Sequence, residues 1–328
     1  MTDGAAPMDL RGRRVWVNGH RGMVGSALVR RLAREGCEIL TVDHAVVDLT
    51  RQRETEDWMA EARPDVVLVA AARVGGILAN STFPAEFLYE NLMIGANVLH
   101  AAHRIGVQKL LYLGSSCIYP RDTAQPIREE QLLTGLPEAT NEAYAIAKIA
   151  GLKLAQAYAR QHGRRFISLM PTNLYGPNDN FDLSSSHVMP ALIRRIHEGK
   201  AAEAPAVTIW GSGRPRREFL HVDDLAEACV LALKRYDGDM PLNVGCGTDI
   251  PIADLARLIA RVVGYDGRFD FDTAKPDGTP RKLLDIRRLQ ALGWRPMIGL
   301  EDGIAQTYRQ WLDAGGGNAM RGQAAAAE

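Results

Sequence analysis

The chain has 328 residues, of which 46% are hydrophobic and 24% are charged. These values are ordinary for a soluble globular protein with one large domain or two smaller ones. Lys plus Arg and Asp plus Glu both number 39, so the net charge is zero and gives no sign of nucleic acid or an anionic membrane as a partner. We expect a cytoplasmic protein, because residues 1–12 lack the apolar segment of a signal peptide and no apolar run could span a bilayer.

The cysteines are far apart in the sequence, at Cys37, Cys117, Cys229 and Cys246. No Cys-x-x-Cys pair or Cys/His cluster accompanies them. A disulfide scaffold and a bound metal are therefore not expected.

Strands and helices alternate through the first half of the chain. Apolar runs predict strands at residues 14–18, 38–43, 65–72, 109–115 and 166–171. An i, i+4 row of Val24, Leu28 and Leu32 predicts a first helix, with Gly36 as its C-cap. Further helices are predicted at residues 90–105, stopped at Gly106, and around Tyr144, ending near Gly163. The alternation is typical of an α/β fold with a doubly wound parallel Rossmann sheet.

The pattern loosens after residue 174. Residues 175–217 and 248–313 have shorter elements and more loop, while residues 219–222 and 242–244 predict strands joined by a helix over residues 223–236. We infer that the chain leaves the sheet, returns and leaves again. The prediction is a Rossmann domain of residues 13–174 and 218–247, a smaller discontinuous C-terminal α+β substrate domain of residues 175–217 and 248–313, and a disordered tail over residues 314–328.

A glycine-rich loop connects the first strand to the first helix. The spacing of Gly19, Gly22 and Gly25 allows a tight turn, a close approach to a diphosphate and close helix–strand packing. Because the helix N-terminus then faces the anion, the whole loop is assigned to a dinucleotide cofactor: Gly19, His20, Arg21, Gly22, Met23, Val24 and Gly25. A plain turn is the alternative.

Two residues give opposite indications about which dinucleotide binds. The guanidinium of Arg21 could bind a 2′-phosphate, which favours NADP(H). Asp43, at the end of the second predicted strand, could accept a hydrogen bond from a ribose 2′-hydroxyl, which favours NAD(H). Asp48 is a further candidate, for the adenine edge. We predict NADP(H) because Arg21 is present, and NAD(H) remains possible because of Asp43.

Tyr144 and Lys148 lie one turn apart on one face of their predicted helix. An ammonium group there favours the phenolate and is expected to lower the pKa of the phenol, giving a general acid–base. Ser115, at the end of the fourth predicted strand, could hydrogen-bond the same carbonyl oxygen that Tyr144 protonates. Together these side chains predict a reductase site, and a chance Tyr-x-x-x-Lys pair is the alternative.

The glycine loop, strand-end serine and Tyr-x-x-x-Lys motif occur in the order and spacing of the extended short-chain dehydrogenase/reductase family. The sequence resembles this family over residues 13–312. Further blocks that carry the resemblance lie at residues 71–77, 114–120, 170–176, 180–188 and 275–282. Within the family, they are similar to members that convert a GDP-linked deoxyhexose.

The resemblance implies a substrate and a reaction sequence. GDP-4-dehydro-6-deoxy-D-mannose would be epimerised at C3 and C5 and then reduced at C4 by NADPH, giving GDP-L-fucose. The ketone acidifies both neighbouring carbons, so epimerisation needs a base on one face and an acid on the other. In the matching blocks the base is Cys117 and the acid is His187, while Ser115 and Tyr144 hold the enolate oxygen.

The resemblance also implies binding residues and an assembly. Those at the cofactor are Ala71, Ser116, Tyr144, Lys148, Pro171, Thr172, Asn173, Leu174 and His187. Those at the GDP-sugar are Arg195, Trp210, Arg217 and Asp277. Residues 42–45 depart from the Arg-bearing stretch common in NADP-using members. A homodimer through residues 90–105 and 141–163 is implied as well.

Two other interpretations remain open. A nucleotide-sugar 4-epimerase or 4,6-dehydratase would share the fold, although Cys117 and Ile118 stand where dehydratases carry an Asp-Glu pair. A non-catalytic cofactor-binding protein would share it too, but such proteins usually lose the Tyr or the Lys.

Overall fold

The computed structural model describes residues 7–275 and 277–316. Its strands are β1 (Arg14–Asn18), β2 (Glu38–Leu40), β3 (Val66–Val69), β4 (Lys109–Leu113), β5 (Phe166–Pro171), β6 (Asn173–Tyr175), β7 (Ala206–Trp210), β8 (Arg216–Arg217), β9 (Phe219–His221), β10 (Leu242–Val244), β11 (Ile250–Pro251), β12 (Arg268–Asp272) and β13 (Arg281–Lys282). Its α-helices are α1 (Met23–Leu32), α2 (Gln52–Ala62), α3 (Ile77–Thr82), α4 (Pro84–Ile105), α5 (Glu142–His162), α6 (Val188–Ala201), α7 (Val222–Arg235), α8 (Ile252–Val263), α9 (Arg287–Ala291) and α10 (Leu300–Asp313).

A parallel sheet of six strands, in the order β10-β5-β4-β3-β1-β2, forms the centre of the molecule. β3, β4 and β5 are buried along their whole length. Strands of that kind need cover on both faces, and the pairs α1 with α7 and α4 with α5 supply two helical layers. The predicted doubly wound parallel sheet is confirmed.

The strand order locates the ligand-binding edge of this sheet. β2 and β3 lie on opposite sides of β1, so the order of the strands reverses next to β1. Ligands of such sheets bind at the carboxyl ends of the strands near the reversal. The glycine loop after β1 and the serines after β4 both lie at that edge.

Several predicted details are wrong. β3 and β4 are shorter than the predicted strands at residues 65–72 and 109–115. α1 ends at Leu32, and Ala33, not Gly36, is its C-cap. The amides of Arg34 and Glu35 donate to carbonyl oxygens three residues earlier, which ends the α-helix before Gly36. β2 stops at Leu40 because it pairs with β1 over three residues only, and Asp43 lies in the loop beyond it. β9 pairs with β6 outside the main sheet, so β10 alone returns to it from this part of the chain.

A second buried cluster lies beyond the sheet. Its centre is formed by apolar side chains of α6, α8 and α10, among them Ile193, Ile196, Leu255, Ile259 and Ile304. These helices are longer than the loosened sequence pattern suggested. The domain boundaries remain a prediction. Of the predicted tail, residues 314–316 form a turn after α10, and residues 317–328 lie outside the described residues.

No helix in the described part of the chain is both long and apolar enough to cross a membrane.

Candidate active site

A single cleft of about 1030 Å³ runs along the carboxyl edge of the sheet and under α6. It is lined by every residue that the sequence nominated for catalysis or binding. These are Gly19, His20, Arg21, Gly22, Met23, Val24, Gly25, Asp43, Asp48, Ala71, Ser115, Ser116, Cys117, Tyr144, Lys148, Pro171, Thr172, Asn173, Leu174, His187, Arg195, Trp210, Arg217 and Asp277. The fold therefore brings together segments that are far apart in sequence.

The glycine loop is packed too tightly for side chains at two positions. Gly19 has a left-handed φ of 67°, and a Cβ atom there would lie 2.8 Å from the backbone of Ala71. A Cβ atom on Gly25 would lie 2.1 Å from the carbonyl oxygen of Gly19. α1 begins at Met23, and Gly22, its N-cap, has no side chain to bond the first amides. Those amides suit a diphosphate, so the loop fits a dinucleotide.

The two residues that gave opposite indications about the cofactor contact each other. Arg21 Nη2 lies 2.5 Å from Asp43 Oδ2, and His20 Nε2 lies 3.3 Å from Asp43 Oδ1. Asp43 Oδ1 is buried and accepts no hydrogen bond from the described residues. This oxygen could therefore accept a hydrogen bond from a ribose hydroxyl.

Asp48 has a structural task in the same part of the cleft. Its Oδ1 accepts hydrogen bonds from the amide and the hydroxyl of Thr50, at 2.9 and 2.8 Å. Desolvation raises the pKa of the Asp48 carboxyl, but these bonds and the nearby charges lower it overall. The carboxylate stabilises the turn before α2, and the assignment to the adenine edge stays a prediction.

Ser115, Tyr144 and Lys148 meet where β4 ends and α5 passes over it. The Ser115 hydroxyl accepts a hydrogen bond from the Cys117 amide at 3.2 Å, and Ser115 and Tyr144 both line the cleft. Lys148 is buried and donates to the carbonyl oxygen of Leu113 at 2.9 Å, with Nζ 5.8 Å from the centre of the Tyr144 ring. A hydroxyl, a phenol and an amine are thus fixed around one point of the cleft.

The expected lowering of the Tyr144 pKa by Lys148 is wrong for these surroundings. Burial raises the pKa of the phenol, the nearby Cys117 and Tyr112 raise it further, and the neighbouring Ser115 hydroxyl lowers it only in part. Burial also lowers the pKa of Lys148 to about 8, which weakens the cation that was to act on the phenol. Tyr144 is accordingly protonated at neutral pH, the form that donates a proton.

Cys117 has a cationic neighbour that the sequence did not nominate. Lys282, on β13, places Nζ 3.8 Å from Cys117 Sγ and lines the same cleft. The ammonium of Lys282 is therefore within hydrogen-bonding distance of the sulfur that the sequence nominated as the base. The only sequence signal for Lys282 was its place at the end of the 275–282 block, which gave no hint of its partner.

His187 lies at the N-terminus of α6, where the loop before α6 contacts the loop after β3. It is the N-cap residue of α6, and the preceding segment bonds the loop after β3 through Gly76 N and Ser185 O at 2.9 Å. A Cβ atom on Gly76 would lie 2.6 Å from the Ser186 carbonyl oxygen, so only glycine allows this contact. The side chain is exposed to the cleft, yet the surrounding protein desolvates it and lowers its pKa.

Cations and an aromatic ring occupy the far end of the cleft. Trp210 is 45% exposed, with Arg195 Cζ 4.7 Å and Lys275 Nζ 5.3 Å from its ring centre. Arg217 lies on β8, and burial lowers the pKa of both its guanidinium and that of Arg195. Cations that have already lost part of their water bind a diphosphate well, and the ring offers a surface for a base.

The carboxylate of Asp277 is bonded within the protein. Oδ1 accepts from the Ser212 amide and Oδ2 from the Ser212 hydroxyl, both at 2.7 Å. These bonds tie the turn after Trp210 to the loop before β13. Asp277 therefore fixes the part of the cleft wall that carries Trp210, and it lines the cleft itself.

Thr172 and Asn173, which follow β5, line the cleft and also hydrogen-bond to the backbone beside it. The Thr172 hydroxyl and the Asn173 amide both donate to the Glu218 carbonyl oxygen, at 3.2 and 2.8 Å. Glu218 is fully buried, and its carboxylate accepts from the amides of Gly247 and Leu284. These bonds connect β6, the residue after β8 and the segment that follows Lys282.

A doubly wound sheet with a glycine loop and a Ser-Tyr-Lys group is typical of enzymes that use a nicotinamide dinucleotide as cofactor. The family model described as "NAD dependent epimerase/dehydratase family" matches residues 15–245, and the chain belongs to that family. The resemblance to the extended short-chain dehydrogenases/reductases is thereby confirmed.

Particular relatives narrow the comparison. The chain is 56% identical to the GDP-L-fucose synthase of Sinorhizobium fredii (strain NBRC 101917 / NGR234), over 92% of this chain and 96% of that one. A GDP-6-OMe-4-keto-L-xylo-heptose reductase from C. jejuni has 32% identity and a TM-score of 0.88, covering 94% of this chain and 99% of that chain. A GDP-L-fucose synthetase from Naegleria fowleri bound to NADP has 28% identity and a TM-score of 0.87, covering 95% and 96%.

Proposed function

We propose that the protein converts GDP-4-dehydro-6-deoxy-D-mannose to GDP-L-fucose, by epimerisation at C3 and C5 and reduction at C4 with NADPH. The observation that carries this is the meeting of two sets of groups in one cleft. Ser115, Tyr144 and Lys148 suit ketone reduction, and Cys117 and His187 supply a second acid–base pair beside them. A simple reductase needs only the first set.

Cys117 and His187 serve the epimerisations in this account. The C4 ketone acidifies the C–H bonds at C3 and C5, and Cys117, with Lys282 in contact with its sulfur, removes one proton at a time. Ser115 and Tyr144 hydrogen-bond the oxygen on which the enolate charge develops. His187 returns a proton to the opposite face; its lowered pKa makes the protonated imidazole a strong donor, present as a minor form at neutral pH.

Tyr144 then serves the reduction. NADPH, when bound along the glycine loop, would supply the hydride to C4. Tyr144 gives its proton to the C4 oxygen, and its raised pKa keeps that proton available at neutral pH. Lys148, bonded to the end of β4, fixes the position of the phenol through the packing of α5.

The GDP portion is assigned to the cationic end of the cleft. Arg195 and Arg217 would bind the diphosphate, and Trp210 would pack on a ring of the nucleotide-sugar. Asp277 would position this wall through Ser212 and offer a carboxylate to hydroxyl or base groups.

A 4-epimerase on the same fold is the alternative, and cofactor release separates the two. The proposed enzyme oxidises one NADPH for each product molecule, whereas a 4-epimerase returns its cofactor to the starting state in every turnover. Single-turnover and multiple-turnover reactions followed at 340 nm should show a one-to-one ratio of oxidised cofactor to product. Product formed without net oxidation would reject the proposal.

A homodimer through α4 and α5 is part of the proposal. The two helices pack on each other, and Tyr89, Leu92 and Ile146 remain exposed on them although they are large and apolar. Such residues mark an interaction surface when they share one face. Sedimentation of the wild-type chain beside Ile146→Asp should show a dimer that the substitution dissociates; a wild-type monomer would reject the assembly.

We also propose a cytoplasmic location, in line with its thiols and reducing cofactor.

A further inference from the structure

The contact between Arg21 and Asp43 bears on the choice of dinucleotide. Arg21 Nη2 and Asp43 Oδ2 are 2.5 Å apart, so the residue suited to a 2′-phosphate is engaged by the residue suited to a 2′-hydroxyl. The pair joins the glycine loop to the loop after β2, and both residues line the cleft. Neither residue can thus be assigned a preference by itself.

We propose that Arg21 and Asp43 form an exchangeable pair that lets the site accept both NADP(H) and NAD(H); this rests on the proposed function. With NAD(H), Arg21 stays on Asp43, and Oδ1, which lies beside His20 and accepts no hydrogen bond from the described residues, accepts one from the ribose 2′-hydroxyl. With NADP(H), Arg21 leaves Asp43 and binds the 2′-phosphate. Each ribose therefore has a partner, and each binds at the expense of the arrangement that suits the other.

The exposure of the two side chains makes the exchange feasible. The Arg21 side chain is 76% exposed and can rotate toward solvent, whereas that of Asp43 is 35% exposed. His20 Nε2, 3.3 Å from Asp43 Oδ1, stays beside the carboxylate when Arg21 moves. An exposed ion pair of this kind is weak, so the 2′-phosphate can compete for the guanidinium.

Asp43 is thereby the residue that limits selectivity for NADP(H). It withholds Arg21 from the 2′-phosphate and places a negative charge beside it. Removing the carboxylate should tighten NADP⁺ and weaken NAD⁺, whereas a carboxylate that merely stiffens the loop would affect both dinucleotides in the same direction.

The test is calorimetric binding of NADP⁺ and NAD⁺ to the full chain, without substrate. Asp43→Ala should tighten NADP⁺ about tenfold and weaken NAD⁺ about tenfold. Arg21→Ala should weaken NADP⁺ about tenfold and leave NAD⁺ within about twofold. Asp9→Ala removes a comparable Arg–Asp pair outside the cleft, Arg11 Nη2 to Asp9 Oδ2 at 2.7 Å, and should change neither constant.

The outcomes separate this proposal from the proposed function. If the wild-type chain binds NADP⁺ but Asp43→Ala shifts both dissociation constants in one direction, or shifts neither, the exchangeable pair is wrong and the function stands. If the wild-type chain binds neither dinucleotide, the function fails and the pair with it. Circular dichroism of each variant establishes that it is folded.

Discussion

The Lys282 ammonium nitrogen lies 3.8 Å from the sulfur of Cys117. The two residues are carried by different segments, Lys282 on β13 and Cys117 in the short turn after β4. Their contact places a cation at the group proposed to remove protons from C3 and C5. It also makes the base dependent on the loop that Asp277 and Ser212 tie down.

Replacing Lys282 should slow epimerisation. Lys282→Met removes the ammonium that contacts the Cys117 sulfur, so deuterium exchange from solvent at C3 and C5 should fall at least tenfold. Arg281→Met is the matched control, because Arg281 pairs with Asp249 instead and should leave exchange within about twofold. Equal effects of the two substitutions would contradict a specific role for Lys282.

Cys117→Ser should abolish deuterium incorporation at C3 and C5. A serine hydroxyl is far too weak an acid to form the required anion at neutral pH, even beside Lys282. Reduction of the 4-keto group should persist, because Ser115 and Tyr144 are untouched. Proton NMR of the recovered sugar measures both outcomes, and unchanged incorporation would remove Cys117 from the role of base.

Tyr144→Phe should suppress reduction by roughly 10²–10⁴-fold, the usual worth of a positioned proton donor. NADP⁺ affinity should change little, because the glycine loop that would bind the diphosphate is unaltered. Steady-state oxidation of NADPH, measured beside cofactor binding, separates the two effects. Near-normal NADPH oxidation by the variant would refute the role of Tyr144.

Reduction should fall as the pH rises through about 8. Burial lowers the pKa of Lys148 to about 8, so the side chain is an ammonium below that pH and loses its proton above it. As an ammonium, Lys148 donates a charge-assisted hydrogen bond to the Leu113 carbonyl, and this bond weakens when the amine is neutral. In Lys148→Arg the charge persists to far higher pH, so the fall near pH 8 should disappear. A fall that persists unchanged in Lys148→Arg would assign it to another group.

The parts of the site that follow from strand ends could be predicted from the sequence. In a parallel sheet the carboxyl ends share one edge, so the Gly19–Gly25 loop and Ser115 had to lie at the same edge. The i, i+4 spacing of Tyr144 and Lys148 fixed their common face. β5 was predicted with its observed bounds, and α4 and α5 end before Gly106 and Gly163, which adopt the left-handed conformation of a C-cap.

The parts that depend on burial and on long-range pairing could not be predicted. Lys282 meets Cys117, and Arg21 meets Asp43, only because loops from separate strands converge. The direction of the Tyr144 pKa depends on how deeply the phenol is desolvated, which spacing along a helix does not reveal. β2 is an edge strand that pairs only with β1, and it is shorter than its apolar residues indicated.

The most direct measurement is the stereochemistry of the product. The purified chain is incubated with GDP-4-dehydro-6-deoxy-D-mannose and NADPH, and the ring coupling constants of the product are read by NMR. The account predicts GDP-L-fucose, inverted at both C3 and C5 and reduced at C4, with one NADPH oxidised per molecule. A reduced sugar that keeps the D-manno configuration at C3 and C5 would contradict it.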